Sequence, residues 1–218
     1  MKWFTSDLHL NHEKILTMGK GRPFKSLEEM EETIVSNWNK KVSPKDDVYV
    51  LGDVFWNMNE YQIQQVMDKL NGHKHLIIGN HDRITPNSKA NRWVEIVESK
   101  YLEMDNTAVI LSHFPIFEWN HYYYGSYHLY GHTHGTLNLA QYTMMRERPN
   151  GNCWDVGVDN NNFEPVNFEE IKEKIKENIE RLNAQGTQES SPAPQFKGIN
   201  SLVLCLLYSP ALTTVYGY

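Results

Sequence analysis

The sequence predicts an α/β fold. Three observations carry that prediction. Short apolar runs recur along the chain and stop at turn residues, and segments with helical spacing of apolar residues fall between them. Run after run is followed at its end by Asp, Asn or His.

Lys2–Thr5 reads as a first strand that stops at Ser6-Asp7. Ser26-Leu27-Glu28-Glu29 has the form of a capping box, and Leu27, Met30, Ile34 and Trp38 then share one helical face. Val48–Leu51 is a second strand. Asn59 is placed to cap a helix carrying Ile63, Val66, Met67 and Leu70, which Asn71-Gly72 would end. His75–Ile78 follows as a strand, and a helix is expected over about Asn91–Tyr101. Thr107–Leu111, Tyr127–Tyr130 and Cys153–Val158 are further strands. A last helix near Phe168–Leu182 would bury Phe168, Ile171, Ile175, Ile179 and Leu182 and turn Glu and Lys outward.

With 218 residues, one domain over residues 1–182 is expected, with room for a sizeable core. Residues 183–200, rich in Gln, Ser, Pro and Gly, read as a flexible linker. Residues 201–218 form an apolar tail to which no role is given. Its strongly apolar part, Leu202–Leu207, is too short to span a bilayer, so no membrane association is expected. The net charge of −6 and the lack of a Lys/Arg run argue against a stable nucleic-acid partner, which needs a basic stripe. Cys153 and Cys205 make neither a disulfide framework nor a thiolate metal site. With no secretory apolar segment before the first polar motif, a cytoplasmic protein is expected.

Five motifs follow one another: Asp7-Leu8-His9, Gly52-Asp53, Gly79-Asn80-His81-Asp82, Ser112-His113 and Gly131-His132-Thr133-His134. They supply two aspartates, an asparagine and four histidines besides His81, a donor set able to hold two divalent cations about 3.5–4 Å apart. In a strand, residues i and i+2 face the same way, so Asp7 and His9 are expected to reach one ion together, and His132 and His134 to repeat the spacing. Oxygen and imidazole donors without thiolate suit Mn²⁺, Fe, Zn²⁺, Ni²⁺ or Co²⁺.

In order and spacing these motifs resemble the calcineurin-like metallophosphoesterase superfamily over roughly residues 1–182. Asn11-His12-Glu13, Arg22-Pro23-Phe24, Asn37-Trp38-Asn39 and Asp155-Val156-Gly157-Val158-Asp159 are similar to stretches of small bacterial and phage phosphoesterases. The resemblance implies two mixed β-sheets packed as a sandwich and flanked by helices. It implies one metal on Asp7, His9 and His134, another on Asn80, His113 and His132, and Asp53 bridging them, with Mn²⁺ the expected ion. His81 is the implied catalytic group that binds no metal, with Asp82 beside it as the acid that orients it. Arg22 and Arg83 are candidate phosphate clamps, with a surface ion pair the competing role for each, and His12 and His128 are candidate substrate contacts, with a supporting or surface role the alternative for His12. The Trp119–Tyr130 stretch is either a wall that stacks on a substrate ring or a packed loop.

The activity implied is hydrolysis of a phosphate ester, a small or nucleotide-like phosphodiester first. A phosphomonoesterase or protein phosphatase is the alternative. A metal-binding module without catalysis is a weaker fit, because Asp53 and His81 are both retained.

Overall fold

The computed structural model describes residues 1–83, 92–136 and 152–186, with side chains of the last helix described to Glu180. The chain divides into two compact units, Met1–Asn178 and Ile179–Tyr218, and the architecture below is that of the first. Most of the expected linker and all of the tail lie outside the described residues. No helix among the described residues is long and apolar enough to cross a membrane.

Two mixed sheets form the sandwich. The first contains β1 (Lys2–Thr5), β2 (Asp47–Val50), β3 (His73–Ile77), β4 (Glu95–Val97) and, antiparallel at the far edge, β9 (Val166–Asn167), in the order β4-β3-β2-β1-β9. The second contains β5 (Ser99–Met104), β6 (Thr107–Ser112), β7 (Tyr127–Tyr130) and β8 (Cys153–Asp155) in that order. β5 and β6 are antiparallel, whereas β6, β7 and β8 run parallel.

Alternation along each strand divides the core into layers. Phe4, Tyr49, Leu51 and Ile77 point between the sheets and meet Leu102, Val109, Leu111 and Leu129 from the other side. Their neighbours Trp3, Val48, Val50 and Leu76 face outward onto Met30, Ile34 and Trp38 of α1 (Leu27–Lys41) and Met67 of α2 (Glu60–Met67). Phe168, Ile171 and Ile175 of α3 (Phe168–Gly186) join the layer between the sheets. Ile179, expected on the buried side, is exposed, beyond the last core side chain of its helix.

The helix starts follow their caps. Ser26 Oγ accepts the Glu29 amide, but Glu29 turns back to the Lys25 amide rather than to Ser26, so only half of the expected box forms. Asn59 and Gln62 make a full capping box. Asn167 and Glu170 make another at the start of α3, with Asn167 Oδ1 accepting the Glu170 amide and Glu170 Oε2 accepting that of Asn167.

The helix expected over Asn91–Tyr101 is absent among the described residues of that stretch, where β4 and the start of β5 lie instead. Ile96 and Val97 are β-branched and pair with Leu76 and Ile77 at the sheet edge. Glu95 is held there by His75 Nδ1 at 2.7 Å and Lys100 Nζ at 2.8 Å. Asp105 and Asn106, both at positive φ, then turn β5 into β6.

Candidate metal centre

Parallel pairing aligns Thr5, Val50 and Leu76 in one sheet and Leu111, Leu129 and Trp154 in the other. The residues that follow therefore emerge at one end of the sandwich. A bridge between Ser6 and Gly157, with the Val158 amide donating to the Ser6 carbonyl at 3.0 Å, ties β1 to the end of β8.

Asp7, His9, Asp53, His132 and His134 all have positive φ, between 48° and 68°. Each such residue costs about 1–3 kcal/mol and persists only where its surroundings fix it. This corrects the strand argument. Asp7 and His9 lie beyond the end of β1, and left-handed turns, not pleat alternation, aim their side chains. Gly52 makes the close approach possible: at φ +86° it sits where a Cβ would lie 2.6 Å from Gly79 Cα and from His113 Nδ1.

Among the described residues two groups of side chains able to hold a metal ion result, Asp7 with His9 and His134, and Asp53 with His113 and His132. Within each group the ligand atoms lie within 4.8 Å of one another. Asn80 Oδ1 stands 2.9 Å from His113 Nε2, which adds it to the second group. Asp53 faces both. Its Oδ2 is 3.7 Å from His9 Nε2 and 3.6 Å from His113 Nε2, while Oδ1 accepts the His81 amide.

The donor set fits cations on a direct test. Asp7 Oδ1 and His9 Nε2 are buried side-chain atoms without a hydrogen-bond partner, and a buried polar group left so is costly. Burial pushes the Asp7 carboxyl up to about 8 and drives the His9 imidazole down to about 2. A neutral imidazole and a carboxylate short of positive charge are what a divalent cation completes.

Neighbouring groups set which nitrogen each histidine presents. His113 Nδ1 donates to the Leu51 carbonyl at 2.7 Å, leaving Nε2 for the site. His134 Nδ1 is held by Asp159 Oδ2 at 2.7 Å, and Arg22 clamps the same carboxylate through Nε and Nη2, both at 2.8 Å. Burial opposes protonation of His134, but the Asp159 hydrogen bond and the Asp7 charge outweigh it, so its pKa is raised. Asp155 holds the same loop by accepting from Thr133 Oγ1 and the Gly135 amide. Asp159→Asn is expected to weaken metal uptake about 10–100-fold at the His134 group while sparing the other. Stepwise calorimetric titration checks this, and two equally weakened steps would contradict it.

Several expected substrate residues have structural partners. Arg22 is buried and all five of its N–H groups are engaged, by Asp159, the Asp7 and Leu8 carbonyls and Met30 Sδ, so none is left for a phosphate. The Asp82 carboxylate accepts the amides of Gly79, Asp53 and Val54 and ties two ligand loops together rather than orienting the His81 ring. Arg83 is exposed. His12 is buried, stacked on Trp56 at 4.0 Å, with Nδ1 3.1 Å from His9 Nδ1. The His81 side chain is 40% exposed, with Nε2 3.9 Å from Asp53 Oδ2.

His128 is fully buried, its Nε2 accepting the Ile116 amide and its Nδ1 donating to the Ile110 carbonyl. It is a packing residue against Trp119 and Tyr130, not a substrate contact. Burial lowers its pKa to about 4 against the opposing effect of the Ile110 and Phe114 backbone. The folded state therefore binds fewer protons than the unfolded one between about pH 4 and the ordinary histidine value. Stability from the neutral ring is complete above pH 6.5 and is lost as pH falls, by about 3 kcal/mol at pH 4. Denaturant midpoints at pH 7 and 4.5 should fall further apart in the parent than in His128→Gln. Equal falls would contradict the assignment.

Sequence reasoning missed Ser6, Trp56 and Phe114. Ser6 Oγ donates to Asp7 Oδ2 at 2.7 Å, and Trp56 lies edge-on to His81 at 4.9 Å. The half-exposed Phe114 ring is 4.6 Å from that of His132. Ser6 and Phe114 each adjoin a ligand motif and could have been flagged; Trp56 carries no comparable signal. In the aromatic stretch, Trp119 and Tyr122 are packed, while Tyr123 and Tyr124 are exposed.

Comparison with known proteins agrees with this geometry. The chain is 29% identical to an uncharacterised protein, MJ1445, of Methanocaldococcus jannaschii, over 80% of this chain and 90% of that one. It is 27% identical to the Gene 66 protein of Mycobacterium phage L5, over 66% of this chain and 83% of the relative. The crystal structure of AQ665, a protein of unknown function from Aquifex aeolicus, aligns with a TM-score of 0.62 and 26% identity, covering 79% of this chain and 98% of that one. The profile of the calcineurin-like phosphoesterases matches residues 3–132, from β1 through the loop after β7. The chain belongs to the calcineurin-like phosphoesterase family.

Proposed function

We propose that this metal-dependent phosphoesterase is a dinuclear enzyme that hydrolyses a small or nucleotide-like phosphodiester. The observation that carries the proposal is the position of Asp53, whose Oδ2 lies 3.7 Å from a nitrogen of one ligand group and 3.6 Å from a nitrogen of the other. A carboxylate there could serve two cations at once. Asp7, His9 and His134 would hold one ion, and Asn80, His113 and His132 the other. Two divalent cations so held supply positive charge to the phosphate oxygens and lower the pKa of water. Manganese is the metal we would load first, on the resemblance to the family; the oxygen and imidazole donors suit Fe, Zn²⁺, Ni²⁺ and Co²⁺ equally.

His81 is the group at this centre that acts on the leaving oxygen. Its backbone amide fixes Asp53 Oδ1, and its ring stands partly exposed beside the same carboxylate. From there Nε2 donates a proton to the departing alkoxide. Trp56 restricts the ring from one side. A diester is favoured over a monoester because the Arg22 guanidinium is consumed within the protein, leaving less cationic compensation for a dianion.

Turnover of bis(p-nitrophenyl) phosphate against p-nitrophenyl phosphate, with Mn²⁺ supplied, tests this directly. The diester should be cleaved faster. A large monoester excess would overturn the diesterase reading, and no turnover of either would remove the catalytic one.

A further inference from the structure

Beyond His134 the wall of the site is hollow. A cavity of about 540 Å³ is bounded by this ring and by Ile15, Met18, Lys20, Asn160 and Phe163. Its volume lies within the range of about 300–1,000 Å³ usual for small-molecule sites. Arg22 and Asp159 also line it, but they neutralise one another through two hydrogen bonds, and every guanidinium N–H is engaged. Exposed Lys20 is therefore the wall cation that a ligand can reach. Phe163 is set in place before any ligand arrives, edge-on to Phe24 at 4.7 Å and beneath the Arg22 guanidinium at 5.7 Å. Ile15 is buried behind it, and Met18 is 55% exposed at the rim.

The lining is apolar at Ile15, Met18 and Phe163 and polar at Lys20 and Asn160, and it shares His134 with the ligand group of Asp7 and His9. We infer that the cavity is the subsite for the organic substituent of the phosphodiester, a flat group of nucleoside size whose polar edge meets Lys20. The inference rests on the phosphodiesterase proposal and gives its substrate a class: esters with a bulky, ring-bearing alcohol rather than simple alkyl diesters. Binding energy gained there is remote from the reacting phosphorus and makes its effect felt in kcat/KM, through kcat as well as KM.

The test uses the double variant Met18→Ala/Lys20→Gln of the full chain, loaded with Mn²⁺. Both positions are exposed, and the change adds no negative charge. Thymidine 5′-(p-nitrophenyl phosphate) is compared with methyl p-nitrophenyl phosphate. kcat/KM for the nucleoside ester should fall at least tenfold while kcat/KM for the methyl ester stays within twofold. Equal changes for both esters, or none for either, would overturn the subsite. If the parent cleaves neither ester, the phosphodiesterase reading fails separately, and calorimetry with thymidine 5′-phosphate then decides. Binding weakened tenfold in the variant supports the subsite. Equal binding by parent and variant, or no binding at all, removes it.

Discussion

Asp53→Asn is expected to reduce turnover by at least about 10³-fold and to lower metal occupancy in the same preparation. The size follows from what the carboxylate does. Asp53 Oδ2 lies between His9 Nε2 and His113 Nε2, and it carries the one formal negative charge of its group. An amide keeps the shape but removes the charge, and it offers one acceptor oxygen in place of two. A loss of about 4 kcal/mol in charge stabilisation corresponds to about a thousandfold in rate. The variant should still fold, because the backbone bonds of the loop survive, including those from the His9 amide to the Asp53 carbonyl and from the Asp53 amide to Asp82. Kinetics read beside elemental analysis check the prediction. A fully active variant with full metal content would show that Asp53 is not the bridge.

His81→Ala separates chemistry from metal binding. The ring is partly exposed and belongs to neither ligand group, and the bond from residue 81 to Asp53 Oδ1 is made by the backbone amide, which alanine keeps. Metal affinity should therefore stay near the parent value while kcat falls about 10²–10⁴-fold, the usual range for removing a general acid. The loss should be largest for alkyl esters with poor leaving groups and small for p-nitrophenyl esters, whose leaving oxygen needs little help. A uniform loss across leaving groups would contradict proton donation by His81, and a drop in metal content would make the ring a ligand.

Site chemistry was more legible in the sequence than was the reason for its geometry. Asp7, His9, Asp53, Asn80, His113, His132 and His134 stand out because few other roles call for those residue types at the ends of apolar runs. What aims them is hidden in backbone conformation. Positive φ at five of the seven cannot be read from residues that are not glycine. Contacts distant in sequence were equally hidden. Arg22 next to a proline and a phenylalanine looks like a surface anion clamp, and only the fold brings it against Asp159, 137 residues away. His128 follows an aromatic run and precedes a ligand motif, yet burial at 0% exposure commits both of its nitrogens to backbone partners.

The fold shows the same division. Ser26 and Asn59 mark helix starts through local chemistry, so they are visible locally. The edge pairing of β4 with β3 is a contact distant in sequence, accompanied by His75 and Lys100 meeting Glu95, and a 3.6-residue pattern read over the same segment misassigns it. The Asn167–Glu170 cap was not read from the sequence and emerges from the fold, where each residue accepts the other's amide.

Two cations bridged by Asp53 are what the proposed chemistry requires. Reconstitution of stripped protein with Mn²⁺, followed by elemental analysis and electron paramagnetic resonance, tests this requirement most directly. Two ions per chain are expected, with the spectrum of a coupled pair about 3.5–4 Å apart, reduced to one or none in Asp53→Asn. A single ion per parent chain, or two ions without magnetic coupling, would contradict it.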